Sequence, residues 1–492
     1  MRSLRQALAT YPLPWLEGLA LYVGLPLTVR TAKDAAAELA AHLLRPDIAQ
    51  ALYEGLSARA REALAEILSA SVPIPWATFV RRYGPVRDMG PQRLMREQPW
   101  REPISPAEEL YYRGVVYRAL VRQDGAVVEI VYVPKELTLL LPQPPESASL
   151  KDIPMVAPPE QVSTAGQTLL NDVVMVLAFA YNEGLHVDWE GRPLRGDLAR
   201  LGERLTSPLQ PTDLLRLPPR VQFILYLVYH LGFVTQEGDR LRLQVSRLQE
   251  WLKQPVAYHR LMLWRLWAEG ETWCDLCHVP ELDPVEGTWV DTALRARQRI
   301  LRHLRELSAE TWYALSDVQR FIHQHDPDFL RPDGNYETWL IRRREDKRIL
   351  RGFQYWQDVE GALLRFYVFG PMFWMDAVMI GEEGRRFALT DAGARWLRRR
   401  SEPMRRVRPP LHVSPDFRIS MSHNVHPLDL FRVTRFADWE LTRPEYVFRI
   451  TRSSLQRASR QGILGRHILL YLRKATRDRL PQNVYRALRK VP

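Results

Sequence analysis

Apolar residues recur at helical spacing and at strand spacing, in an order that repeats along the chain. In residues 47–141, the runs DIAQALYEGL, ARAREALAEILSA and PWATFVRRYG carry apolar positions three and four apart, which predicts three helices. A polar, proline-bounded stretch, PVRDMGPQRLMREQPWREP, reads as a loop. SPAEELYYRG reads as a further helix, with Ser105 as N-cap and carboxylates in the first turn, where they meet the positive end of the helix dipole. VVYRALVRQ and AVVEIVYVP alternate apolar and polar residues around Asp124-Gly125, the pattern of a tight hairpin. Helices followed by a two-stranded hairpin is the element order of a winged helix, a relative of the helix-turn-helix.

The order returns twice. In residues 166–253, TLLNDVVMVLAFAYNEG, RGDLARLGERL and RVQFILYLVYHLG predict helices, FVTQEGDRLRLQV a hairpin around Glu237-Gly238-Asp239, and RLQEWLKQ a closing helix. In residues 254–402, TALRARQRILRHLREL and DVQRFIHQ predict helices. YETWLIRRREDKRIL is read as a helix ended by Arg342, Arg343 and Arg344, and WQDVEGALLRFYVFG as helix rather than strand. DAVMIGEEGRRFALT is a hairpin around Gly381 to Gly384, followed by the short basic helix DAGARWLRRR. Residues 1–46 give a helix, an extended link and a second helix, and the proline-rich residues 142–165 show no periodicity and read as a linker. Residues 403–492 open on a proline-basic hinge. Two strands (LHVSPDFRISMS, EYVFRIT) then mix with four helices, one closed by Gly462 and the last begun by Pro481. The expected fold class is therefore mostly α with small β hairpins: tandem winged-helix domains followed by a small α/β C-terminal domain.

Charge singles out that last part. The net charge of the 492-residue chain is +12. From Arg385 to the end there are 25 Lys+Arg against 8 Asp+Glu, a net of +17; the remaining 44 and 49 leave residues 1–384 at −5. Such asymmetry points to a polyanionic partner. The basic residues are mostly Arg, with only 7 Lys in the chain, and Arg suits bidentate phosphate contacts. Arg452, Arg457, Arg460, Arg466, Arg473, Lys474, Arg477 and Arg479 fall on or between two neighbouring helices, and on one face they would engage several phosphates at once. Arg449 and Ser454 lie near a helix N-terminus, a natural phosphate site. Arg342 and Arg343, with Arg81 and Arg82, are candidates to line a groove, although the acidic balance of residues 1–384 also suits protein binding.

The C-terminal stretch resembles a known family. VSPDFRISMS, VFRITRSSLQRASRQG and LLYLRKATRDRLPQNVYRAL are similar to the helicase-associated domain found beside XPB-type repair helicases. The matching positions are Phe448, Arg449, Ile450, Thr451, Ser454, Leu455, Ala458 and Gly462, then Leu480, Pro481, Gln482, Asn483 and Val484, within roughly residues 410–490. Phe448 stands where Tyr is more usual. The resemblance implies an accessory fold associated with DNA or protein contacts. It does not imply a motor. The chain has no Gly-Lys dipeptide for a phosphate-cradling loop and no D-E-x-D or D-E-x-H box for magnesium.

Three clusters carry other chemistry on paper. WCDLCH, Trp273 to His278, holds both cysteines of the chain in C-x-x-C-H, the spacing of covalent haem attachment. No second C-x-x-C or finger-spaced His pair completes a zinc site. The simplest reading places Trp273, Leu276 and Cys277 on one buried face, with cysteine as a small hydrophobe; metal or redox use is the alternative. His323, His325, Asp326 and Asp328 are metal ligands by type, but positions two apart diverge on a helix. Asp358 and Glu360 would face one side as a strand pair and serve as acid and base; on a helix they diverge. No cofactor and no catalytic residue are assigned.

No run of 18 or more uncharged apolar residues occurs, and the apolar stretch after Arg2 and Arg5 is broken by Glu17 and prolines without a cleavage site. A cytoplasmic protein with no membrane partner is expected. The expected function is a non-enzymatic DNA-binding or adaptor protein, accessory to a separate helicase or nuclease in repair or defence. The alternative is a protein-interaction scaffold without nucleic-acid binding.

Overall fold

The computed structural model describes residues 2–29, 31–70, 73–123, 126–142, 149–381, 384–403 and 408–491. The chain divides into two units, Met1–Ser149 with His325–Trp339, and Leu150–Gln324 with Leu340–Pro492.

In the first unit the helices are α1 (Leu4–Leu8), α2 (Leu13–Tyr22), α3 (Ala32–Leu43), α4 (Pro46–Glu54) and α5 (Ala58–Ser69). Strand β1 (Ile74–Pro75), α6 (Trp76–Tyr83), α7 (Pro91–Glu97), α8 (Pro106–Tyr112), β2 (Tyr117–Gln123), β3 (Ala126–Tyr132) and α9 (Lys135–Thr138) follow. The strands pair antiparallel in the order β1-β3-β2. The turn residues Asp124-Gly125 lie outside the described residues, and the strands beside them pair from Gln123↔Ala126 to Tyr117↔Tyr132. Ser105 caps α8 as expected, its Oγ accepting from the Glu108 N–H at 3.0 Å. Glu108, which is buried, takes the Arg87 guanidinium at 2.7 Å, so the first-turn charge is paired. Helix α7 forms inside the stretch read as a loop. Pro91 preorganises its first turn, and Leu94 is the side chain it buries. Leu4, Leu16, Leu19 and Leu39 share one core with Tyr117, Ile130 and Tyr132, so residues 1–46 pack on the hairpin. The segment 325–339 brings Asp328, whose carboxylate accepts from Tyr336 (2.9 Å), Arg81 (3.0 Å) and the Thr78 hydroxyl. Those bonds occupy one carboxylate of the candidate metal cluster.

The second unit begins with β4 (Val162–Ser163), α10 (Thr168–Asn182), β5 (Leu185–His186), α11 (Arg195–Gly202), α12 (Pro219–His230), β6 (Val234–Glu237), β7 (Arg240–Leu243) and α13 (Val245–Leu252). Then come α14 (Val256–Ala268), β8 (Leu282–Glu286), α15 (Trp289–Leu304), β9 (Trp312–Ala314), α16 (Leu315–His325), β10 (Leu340–Arg343), α17 (Ala362–Tyr367), β11 (Val378–Gly381), β12 (Arg386–Leu389) and α18 (Asp391–Leu397). The sheets are β5-β7-β6, β4-β11-β12-β9 and the pair β10-β8. One topology thus occurs three times across the two units. A helix, a short strand, further helices and a hairpin follow, with the short strand paired to the hairpin's second strand: β1 on β3, β5 on β7, β9 on β12; three helices, α6 to α8, lie between in the first copy, two in the second, and β10 separates α16 from α17 in the third.

Two local expectations for this unit meet different outcomes. Leu340–Arg343 is strand β10, not a helix end, because Ile341, Arg342 and Arg343 pair with Pro284, Asp283 and Leu282 of β8. Long-range pairing overrides a local helical pattern there. WQDVEGALLRFYVFG is helical, with α17 between two π-helical turns, Gln357–Gly361 and Val368–Met372. Asp358 and Glu360 therefore diverge, and Asp358 pairs with Arg343 at 2.8 Å.

The C-terminal part contributes β13 (His412–Val413), β14 (Arg418–Met421), α19 (Pro427–Phe436), β15 (Asp438–Leu441), β16 (Tyr446–Arg449), α20 (Arg452–Arg460), α21 (Gly465–Ala475) and α22 (Gln482–Arg489), with sheet order β13-β14-β16-β15. The hinge residues 404–407 and the turn residues 382–383 lie outside the described residues. Helix α19 buries Leu430, Phe431 and Val433 and packs along α10. Polar ties reinforce the contact: Asn171 donates to the His423 carbonyl (2.7 Å), Gln167 to that of Val425 (2.6 Å) and Asn182 to that of Thr434 (3.1 Å). Among the described residues no helix is long and apolar enough to cross a membrane.

Candidate nucleic-acid interface

The residues that carry the family-like pattern explain themselves as folding signals. Thr451, two residues past β16, caps α20: its Oγ1 accepts from the Ser454 N–H, and Ser454 Oγ accepts from the Thr451 N–H, each at 3.0 Å. Ser454 Oγ also donates to the Phe436 carbonyl at 2.7 Å. Phe448, Ser454 and Ala458 are fully buried. Gly462 follows the helix at φ 76°, the left-handed C′ conformation. Ser454 was expected near a phosphate. Its hydroxyl instead faces the core and is used by the cap, so it is not available to a ligand.

The cations sort into two groups. Arg449 pairs with Glu440 (2.6 Å), Arg457 with Asp438 (2.8 Å) and Arg473 with Asp478 (2.8 Å). Arg457 also donates to the Ala437 carbonyl at 3.2 Å, which ties α20 to the start of β15. Burial alone would raise the Asp438 carboxyl, but bonds from Thr451 and Arg457 outweigh it and hold the group below the usual carboxylate range. The second group is exposed and pairs with no carboxylate among the described residues: Arg452, Arg460, Arg466, Lys474, Arg477 and Arg479.

Helical spacing orients that second group. On α20, Ser454 and Ala458 point inward, and Arg452 and Arg460, eight apart, share the opposite stripe. On α21, Gly465, Ile468 and Leu472 point inward, and Arg466, Arg473 and Lys474 point outward around Leu470, which is 71% exposed. Arg477 and Arg479 occupy the turn after α21. On α22, Val484 and Leu488 point inward, which turns Arg486 and Arg489 out, with Lys490 beyond them. These last three cations were missed as site residues, although their spacing against Val484 and Leu488 was readable in the sequence. From Ile450 to the end there are 11 Lys+Arg and one acid, Asp478.

Arg342 and Arg343 stand apart from this set. Both are half-buried on β10, and Arg343 is divided between Asp358 (2.8 Å) and Asp346 (3.1 Å). Arg343 lines a cavity of about 610 Å³ together with Glu281, Glu345 and Asp358, a mixed-charge setting unlike the C-terminal helices.

The C-x-x-C-H segment forms the 3-10 turn Asp275–His278. Trp273 and Leu276 are buried as expected, but Cys277 is not a packed hydrophobe: it is half-buried and joined to the buried Cys274 by a disulfide. Burial pushes the His278 imidazole down to about 4, with Arg216 adding to the effect. Among the described residues no group of three or more His, Cys, Asp or Glu is placed to hold a metal ion. His323 packs instead against Phe353 and Trp356, ring centroids 5.1 and 4.8 Å away.

No protein-family model matches this chain, and no curated protein matches it.

Proposed function

We infer that the chain is a non-enzymatic DNA-binding or adaptor protein, accessory to a separate helicase or nuclease. Its basic C-terminal helices contact phosphate, and three winged-helix repeats form the scaffold that carries them. The observation behind this reading is the exposed set Arg452, Arg460, Arg466, Lys474, Arg477 and Arg479, which pairs with no carboxylate among the described residues, in a stretch with a single acid. Cations free of intramolecular partners release counterions from a polyanion at little desolvation cost. The repeated order of helix, short strand, further helices and hairpin supports the winged-helix assignment, and the likeness to the helicase-associated domain supports the accessory role.

A second reading, a protein-interaction scaffold that ignores nucleic acid, is favoured by Leu470, an apolar side chain exposed amid the cations of α21.

The test is binding of fluorescent duplex, single-stranded and forked DNA to the full chain across a salt series. A variant carrying Arg452→Ala, Arg460→Ala, Arg466→Ala and Lys474→Ala is the comparison. Cutting the chain at residue 402 would strip α19 from α10 and confound charge with folding. Affinity that falls steeply with salt and drops in the variant supports the reading. Absence of binding at low salt overturns it in favour of the scaffold.

A further inference from the structure

The DNA reading leaves the cysteine pair unused, and the surroundings of that pair are built. Asp275, between the two cysteines, is 1% exposed and pairs with Arg297, itself 0% exposed, at 2.7 Å. The Asp275 carboxylate also accepts from the indole N–H groups of Trp267 and Trp273, both at 2.9 Å. Arg297 donates to the carbonyls of Gly270 (2.8 Å), Trp267 and Trp273. A fully buried, hydrogen-bonded ion pair therefore fixes the backbone from 267 to 275 without help from the sulfurs. The disulfide closes a loop with a sequence separation of only 3. So short a loop constrains the unfolded chain less than a long one, which makes this bond a poor stabiliser.

The two sulfurs also differ in access. Cys274 is buried, whereas Cys277 lines a cleft of about 780 Å³ walled by Leu225, Tyr226, Tyr229 and Trp273. Arg216 lines the same cleft and supplies positive charge where a thiolate would approach, while Arg192 on its rim is paired with Asp188 and Glu190.

We propose that Cys274–Cys277 is a thiol–disulfide exchange centre that takes a dithiol through this cleft, with Cys277 as the attacked sulfur. A substrate thiolate attacks Cys277 Sγ, the Sγ–Sγ bond breaks, and Cys274 leaves as a thiolate. The substrate's second thiolate then attacks its own sulfur in the mixed disulfide, and Cys277 leaves. The substrate loses two electrons and becomes a disulfide. The cysteine pair gains two electrons, and the two protons given up by the substrate thiols end on Cys274 and Cys277. The reverse sequence reduces a substrate disulfide.

The full-length protein is equilibrated in graded mixtures of reduced and oxidised dithiothreitol. Free thiols are counted by mass after alkylation, and near-ultraviolet circular dichroism follows the fold. The expected result is one two-electron transition with the dichroism unchanged. A brief iodoacetamide pulse on the reduced protein then labels Cys277 at least about tenfold faster than Cys274. With a peptide whose two cysteines are joined in a disulfide, the Cys277 thiolate of Cys274→Ser attacks the peptide disulfide, expels one peptide thiolate and holds a mixed disulfide at Cys277, and Cys277→Ser forms none. Exchange with dithiothreitol but not the peptide identifies a small dithiol as the substrate class, and exchange with both admits polypeptide thiols. Thiols that appear only as the dichroism collapses, or equal labelling of the two cysteines, overturn the proposal.

Discussion

Helices α12 and α21 are nearly equal in length, at 12 and 11 residues, and use their surfaces in opposite ways. Helix α12 is the third helix of its repeat, the position from which a helix-turn-helix protein reads a groove with exposed polar side chains. Here Val221, Phe223, Ile224, Leu225, Tyr226, Leu227 and Val228 are all buried, and Arg220 is paired to Asp172 at 2.6 Å. The equivalent helices α8 and α17 are inward-facing as well, burying Leu110 and Tyr112 in one and Leu363, Leu364, Phe366 and Tyr367 in the other. Helix α21 buries only one edge and presents Arg466, Arg473 and Lys474 outward. The helix before the hairpin is thus used as core in each repeat, and the exposed cations lie in a part of different topology. Element order states what can be built; the exposure of charge states what can be bound.

The contrast breaks most sharply at Asp172 on α10. It is fully buried, pairs with Arg220 and accepts the Thr206 N–H (2.8 Å) and hydroxyl (2.6 Å). Asp172→Ala strands those donors and is expected to cost about 3–5 kcal/mol in urea unfolding of the full chain. DNA affinity per folded molecule should be unchanged, because no C-terminal cation is touched.

Acid acts on the same scaffold. Burial holds the imidazoles of His259 and His426 down to about 4, like that of His278, against about 6.5 in an unfolded chain. The unfolded chain takes up these protons first. Stability is therefore full above pH 6.5 and falls as pH drops toward 4, on the order of 1 kcal/mol per pH unit from His259 alone. Urea midpoints at pH 7 and pH 5 measure the fall, and replacing His259 with Gln should remove its share and leave those of His426 and His278.

The charge side of the contrast gives smaller effects on folding and larger ones on binding. The fourfold variant at Arg452, Arg460, Arg466 and Lys474 should lose at least about tenfold in DNA affinity at low salt. Its log–log salt slope should drop by up to about 4, with little change in unfolding midpoint. Gly462→Ala, at positive φ with open space around its Cβ position, is expected to cost about 1 kcal/mol through backbone strain alone. Last in size, Arg477→Ala should weaken binding several-fold and equally across DNA sequences, since phosphate contacts carry no base information. Arg473→Ala should do less, because Asp478 already holds that guanidinium. Strong sequence dependence in either variant would contradict a phosphate role.

Much of the local architecture was legible. Apart from the run around residues 340–343, the periodic runs became helices, the alternating runs became hairpins, Ser105 became a cap and Gly462 a C′ residue, because each depends on neighbours within a few positions. Helix α7 was hidden by prolines that serve as its start rather than as breakers. The candidate site was half legible. Charge counting pointed to the C-terminal helices and swept in Arg457, and the helix N-terminus argument swept in Ser454; the fold uses both internally.

What the sequence determined by itself was therefore periodicity, capping and the crowding of cations into the last 43 residues, all properties of the chain read in order. Tertiary structure decided the rest. It made residues 340–343 a strand by setting them against residues 282–286, and it gave Arg457 to Asp438 while leaving Arg460 exposed. It also closed Cys274 onto Cys277 with one sulfur toward a cleft. The physical reason is distance along the chain. Helical period and caps act between residues a few positions apart. Pairing partners, burial and access to a cleft depend on which remote segments the collapsed chain brings together.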